Sequence, residues 1–182
     1  NIFNALLNNT VKDDDKDTKE ELVINFKEMD CFTYVDYVES LIDSRNFSDF
    51  TKNLKKVRYK NSEVSFITRN HFFYDWMKNN IAMEDITKQL FPNKAKFVDK
   101  ILNKKSDGSS FLEGVSMQNV RIWYVGPEVL NYESLNLLQN GDYIGIYSDQ
   151  KGLDVSHVGI FIKINEQYFF RHGSNRKGID SV

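Results

Sequence analysis

The chain has 182 residues, 41% of them hydrophobic and 27% charged, with a formal net charge of -2. That length suits one domain with a real core rather than two. The near-neutral charge argues against a general nucleic-acid binder, which is usually basic, and no apolar run approaches the roughly 20 residues a membrane-spanning helix needs. A single cysteine, Cys31, excludes an internal disulfide and leaves the compartment open.

In chain order, residues 1–9 (NIFNALLNN) have the pattern of a short amphipathic helix, and VKDDDKDTKEE after them reads as a solvated charged run. Residues 1–20 are thus expected to be an N-terminal arm of a single domain. The chain begins with Asn1 rather than Met, which reads as a processed or trimmed product. Leu22 to Phe26 is a short apolar stretch. In MDCFTYVDYVESL, residues 29–41, Cys31, Val35, Val38 and Ile42 recur at helical spacing and share a face. Asp30 stands where a carboxylate caps a helix, so Cys31 belongs to the first turn, where the partial positive charge of the helix start favours a thiolate. A second helix is expected over residues 47–59, with Ser48 or Asp49 as cap and Phe50, Leu54 and Val57 inward.

The middle of the chain is less regular. Val64 to Ile67 reads as a short strand, followed by an aromatic segment with Arg69, His71, Asp75 and Trp76. MEDITKQLF reads as a helix closed by Pro92, Lys96 to Leu102 and Val120 to Val125 as strands, and Tyr132 to Leu138 as a short helix. Asn140-Gly141-Asp142 is a turn leading into YIGIYS. In HVGIFIKI, Val158, Ile160, Ile162 and Ile164 alternate with His157, Gly159, Phe161 and Lys163. Asn165-Glu166 is a two-residue turn, and QYFFRHGS returns as the next strand. The closing GIDSV reads as the opening of a further strand, so a truncated C-terminus is expected. Early helices followed by late hairpins predict an α+β fold with an antiparallel sheet.

Three histidines are present: His71, His157 and His172. A two-residue turn at Asn165-Glu166 puts Ile164 opposite Gln167, Gly159 opposite His172 and His157 opposite Ser174. His157 and His172 then project from one face as diagonal neighbours, roughly 7 Å apart between backbones. A slip of one residue would separate them onto opposite faces. A thiol at a helix start and two cofacial histidines have the composition of a nucleophile, its base and the group that orients the base. The N–H of Cys31 would also face a developing oxyanion. Against this, a lone cysteine on an apolar helix face is usually an inert core residue. Zinc is another alternative, although neither a second cysteine nor HExxH is present. No GxSxG elbow and no phosphate-cradling glycine motif occurs.

The Cys block MDCFTYVDYVESL, the segment NGDYIGIYS, the block GLDVSHVGIFI and the strand ending in His172 together resemble the NlpC-type cell-wall cysteine peptidases. With TRNHFFYDW added, the chain is similar to the N-acetylmuramoyl-L-alanine amidase-like branch of that superfamily, from about Glu28 to Ser174. The resemblance implies a papain-like fold with N-terminal helices on a central antiparallel sheet. It implies Cys31 as nucleophile, His157 as general base and His172 as its orienting partner, with no metal or other cofactor. The implied reaction is cleavage of the amide between the lactyl group of N-acetylmuramic acid and L-alanine, in peptidoglycan or muropeptide fragments, by a monomer in the cell envelope or periplasm. On this reading Arg69, His71, Asp75 and Trp76 line the substrate side, Arg69 pairing with a stem-peptide carboxylate and Trp76 stacking on a sugar. Core packing for Trp76 and a structural ion pair for Arg69 are the commoner roles of such residues. Two rivals stay open: an endopeptidase cutting within the stem peptide, and a non-catalytic cell-wall-binding module.

Overall fold

The computed structural model describes residues 19–80 and 82–173. The expected N-terminal helix, the first part of the charged run, Ser174 and the closing strand lie outside the described residues. Helix α1 spans Cys31–Ile42, with Asp30 as its cap and the Asp30 Oδ1 accepting the Thr33 N–H at 2.6 Å. Cys31 and Val35 are buried, as the helical spacing predicts, but Ile42 is 66% exposed. Ile42 shares the direction of the apolar stripe, so its exposure means that the packing partners stop short of the last turn.

Helix α2 spans Phe47–Arg58 and buries Phe50, Leu54 and Val57. Its cap is Asn46, two residues before the expected Ser48 and three before Asp49. The Asn46 Oδ1 accepts the Asp49 N–H at 3.0 Å, and the Asp49 carboxylate accepts from Asn46 Nδ2 at 3.0 Å. The two side chains close on each other, so Asp49 supports the cap from inside the first turn.

Residues 64–67 form turns rather than a strand. The Ser65 carbonyl accepts the Arg69 N–H at 3.1 Å, and the Ser65 Oγ accepts the Thr68 N–H at 3.3 Å. These local bonds capture backbone groups that a strand would need. The aromatic segment then coils into α3, Phe73–Asn79. One buried carboxylate joins the three helices. Arg58 Nε of α2 donates to Asp36 Oδ2 of α1 at 2.7 Å, and Trp76 Nε1 of α3 donates to Asp36 Oδ1 at 3.0 Å. Burial disfavours the charge on Arg58, but the Asp36 carboxylate outweighs it and pushes the guanidinium above its ordinary value. The helix expected in MEDITKQLF shrinks to one turn, α4, Thr87–Leu90.

Strands β1 (Lys96–Leu102) and β2 (Gln118–Tyr124) pair antiparallel as a separate two-stranded sheet. After a short helix, α5 (Tyr132–Leu135), strands β3 (Tyr143–Tyr147), β4 (Val155–Ile164) and β5 (Gln167–Arg171) form an antiparallel sheet in that order. The fold is α+β, with the early helices packed on this sheet, and no helix among the described residues is long and apolar enough to cross a membrane. Ile164 pairs with Gln167, as the two-residue turn requires. Asn165 and Glu166 take positive φ, 48° and 62°, the geometry that matches the twist of a hairpin.

A bulge interrupts the β3–β4 ladder: Ile146 pairs with His157, but Tyr147 pairs with Val155. Ser156 is the extra residue. It lets Val155 and Val158, three positions apart, both enter the core that also holds Cys31 and Ile160, while His157 faces away.

Two outcomes test this core. Replacing Asp36 with Ala leaves Arg58 buried without its partner and is expected to cost about 3–5 kcal/mol in urea denaturation. His71 is buried, with its Nε2 bonded to the Phe66 carbonyl at 2.7 Å, and desolvation lowers its pKa to about 4. The unfolded chain takes up a proton near the ordinary value of about 6.5 and the folded chain does not. Stability should therefore fall as pH drops from about 6.5 towards 4, by up to about 3 kcal/mol, and His71→Gln should remove that part of the slope.

Candidate active site

Cys31 is 4% exposed, on the first turn of α1. Its sulfur lies by β4 at Val158, whose N–H favours the ionised thiol. The last β4–β5 pair is Ile160 with Arg171. Val158 lies two residues before Ile160 on β4, beyond the β4–β5 pairing. Burial pushes the thiol above its usual value. The Val158 N–H opposes this, the Asp30 charge adds to it, and the N–H groups of Cys31 and Phe32 oppose it. Burial prevails, so the expectation of a thiolate favoured by the helix start is not met. The amides are present, but the sulfur is too far from water for them to ionise it.

The two strand histidines meet as the register predicts. His157 Nε2 lies 2.9 Å from His172 Nδ1, with ring centroids 4.6 Å apart at 82°. Burial lowers the pKa of His157, the neighbouring His172 lowers it further, and Asp30 acts in the opposite sense. His157 is thus a neutral imidazole at neutral pH, with a lone pair available to accept a proton.

Three features around this group are not visible in the sequence pattern. Gly173 follows His172 and packs on the start of α1. A Cβ there would stand 2.7 Å from the Asp30 carbonyl oxygen, 2.9 Å from its carbon and 3.2 Å from the Cys31 nitrogen. Those are backbone atoms of a capped helix and cannot give way, so the missing side chain is what lets the end of β5 reach the cysteine. The loop leading into β4 is fastened by Lys100, whose ammonium donates to the carbonyls of Ser148, of Gln150 at 3.1 Å and of Leu153 at 2.9 Å. Asp154 accepts the Tyr74 N–H at 2.7 Å and the Val155 N–H at 2.8 Å, which ties the start of β4 to the N-terminus of α3. His157 is three residues on.

Arg69, His71, Asp75 and Trp76 do not form a group around the sulfur. Arg69 is 9% exposed, with Nη1 3.5 Å from the Glu20 carboxylate. His71 is buried on the Phe66 carbonyl, and Asp75 accepts from Gln118 Nε2 at 2.6 Å. Trp76 is fully buried, stacked on Phe73 and bonded to Asp36, and offers no face to a sugar. Their polar atoms serve the core. Among the described residues no group of three or more His, Cys, Asp or Glu is placed to hold a metal ion.

The profile of a family described as N-acetylmuramoyl-L-alanine amidase-like (AmiA-like) matches residues 6–182. Among solved structures, an N-acetylmuramoyl-L-alanine amidase from Bacteroides uniformis is 26% identical, the match covering 88% of this chain and 76% of that one with a TM-score of 0.68. A Legionella pneumophila protein of the DUF1460 family is 27% identical over 81% of this chain and 65% of its own, also with a TM-score of 0.68. A Bacteroides fragilis protein provisionally named a xylanase is 26% identical over 88% of this chain and 79% of its own, with a TM-score of 0.65. No curated protein sequence matches.

Gly173→Ala is expected to push His172 away from α1. With His172 orienting His157, a displacement of that kind should lower kcat by about 10-fold to 100-fold, with little change in KM. Steady-state kinetics alongside a thermal melt separates this from simple unfolding.

Proposed function

The chain belongs to the N-acetylmuramoyl-L-alanine amidase-like family, and from that premise we propose that it is a cysteine-dependent amidase. Its substrate is the amide between the lactyl group of N-acetylmuramic acid and L-alanine, in peptidoglycan or its fragments. The supporting observation is the 2.9 Å contact of His172 with His157, which adjoins Val158, the β4 residue whose N–H lies by the Cys31 sulfur. Arg69, His71, Asp75 and Trp76 are left out of this proposal, since each is engaged within the fold.

In the tautomer where His157 Nε2–H donates to His172 Nδ1, the other nitrogen of His157 keeps its lone pair for the thiol. In this reading the thiol, raised by desolvation, and the neutral imidazole start as an uncharged pair. The proton therefore moves from Cys31 to His157 as the sulfur attacks the lactyl carbonyl carbon. The Cys31 N–H faces the oxygen that gains charge. The tetrahedral intermediate collapses, the C–N bond breaks, and His157 gives its proton to the departing alanine nitrogen. Water then gives a proton to His157 and attacks the thioester carbon. The C–S bond breaks, and the proton returns to sulfur. The products are the free lactyl carboxylic acid and a peptide beginning with L-alanine. The reading places the enzyme in the cell envelope, where such a wall or its fragments are met.

Mass spectrometry of a digested muropeptide tests the reaction. An alanine-led peptide and an intact muramyl sugar are expected, whereas a cut inside the stem peptide would assign the endopeptidase chemistry instead. Cys31→Ala should lower turnover on the order of 10⁴-fold, the scale of losing a nucleophile. Chelator should leave the wild type active, and loss with recovery on added metal would point to a zinc enzyme. The pH profile of kcat/KM should keep its plateau at the ordinary histidine value and fall only below it. Protonation of His157 removes the base, and its pKa is lowered.

A further inference from the structure

The sheet face that carries the two histidines is apolar around them. Ile146 of β3 is paired with His157, and Ile144 with Gly159. Side chains of directly opposed residues stand about 5 Å apart, so Ile146 is the immediate neighbour of the His157 imidazole. It is nevertheless 46% exposed. On the other flank Phe170 lies across Gly159, where a Cβ would stand 2.7 Å from the ring. The Phe170 ring is 5.2 Å from that of His172 and 6.0 Å from that of His157. Strands β3, β4 and β5 carry no acidic residue. Lys163, the cation on this face, is six residues further along β4 and is held by Asn136 at 2.8 Å.

In the reaction read above, the proton on His157 passes to the nitrogen of the leaving amine. The residue that owns that nitrogen has its Cα one bond from the atom that takes the imidazole's proton, so its side chain falls within reach of the neighbours of His157. We propose that Ile146 is a specificity-determining residue, forming an apolar subsite for the methyl side chain of the departing alanine. This rests on the amidase reading and says what it selects for. A methyl group gains contact there and demands no partner. A diamino acid, the leaving residue of a stem-peptide endopeptidase, would bring an ammonium group over the Ile146 and Phe170 side chains, which offer it no hydrogen-bond acceptor, and would lose hydration without compensation.

The test uses muramyl substrates whose first peptide residue is L-alanine, glycine or L-lysine, with wild type, Ile146→Thr and Ile146→Glu. All are assayed at a pH where His157 is neutral in every variant, with thermal melts recorded in parallel. Wild type should prefer alanine to lysine. Ile146→Glu should shift the ratio of kcat/KM values towards lysine by about 10-fold or more. Ile146→Thr, which keeps a β-branched side chain on an exposed strand position, should reduce the preference for alanine over glycine. Ratios within about twofold of wild type in both variants, with wild type active on alanine, overturn this inference and leave the amidase reading standing. If Ile146→Glu does not fold, the alanine-to-glycine ratio of Ile146→Thr decides alone. A wild type that releases no alanine-led peptide overturns both.

Discussion

The contact on which the rest of the site depends is made by backbone. The start of α1 reaches the sheet at a point where β5 has stopped pairing, and there the Val158 amide turns to the Cys31 sulfur. From the other side, Gly173 lies against the Asp30–Cys31 peptide at a distance no Cβ permits. These two meetings put a residue from the first third of the chain beside residues from its last quarter. The Asp36 network holds the rest of α1 in place behind them, by way of Arg58 and Trp76.

The electrostatics follow from that placement. A helix start alone favours an ionised thiol, and burial in the same core as Val35, Trp76, Val155 and Val158 opposes it. Desolvation also holds His157 neutral. In the proposed mechanism the pair rests uncharged and separates charge only as the sulfur attacks a carbonyl carbon, and a protonated thiol is the less oxidisable form. Trp76 and Phe73 of the aromatic segment pack in the same core as the cysteine.

What the sequence made legible was local. The Asp30 cap depends on a spacing of three residues, and the meeting of His157 with His172 depends on a two-residue turn whose rules are short-range. The Asn46 cap was missed because two side chains close on each other there, and the spacing of one alone does not show it. The Ser156 bulge was missed because the alternation of HVGIFIKI begins after it and gives no sign of the change of phase. Lys100 holding three carbonyls 48 to 53 residues away has no local signature. Arg69 and Trp76 illustrate a further difficulty: residue types that suit a substrate surface also suit a buried ion pair and a packed core, and burial alone separates the two.

The separation of the site in sequence has a consequence for how reactivity emerges during folding. His157 and His172 are only 15 residues apart, on a hairpin of a kind that closes on the order of microseconds. The sulfur must cross the whole topology to reach them, paying the loop-closure entropy of a long chain. A partly folded molecule can therefore hold its histidine pair while its thiol is still remote from any base. In the proposed mechanism the nucleophile becomes competent only once that long-range contact has formed, so chemical activity would report folding of the whole domain rather than of the hairpin.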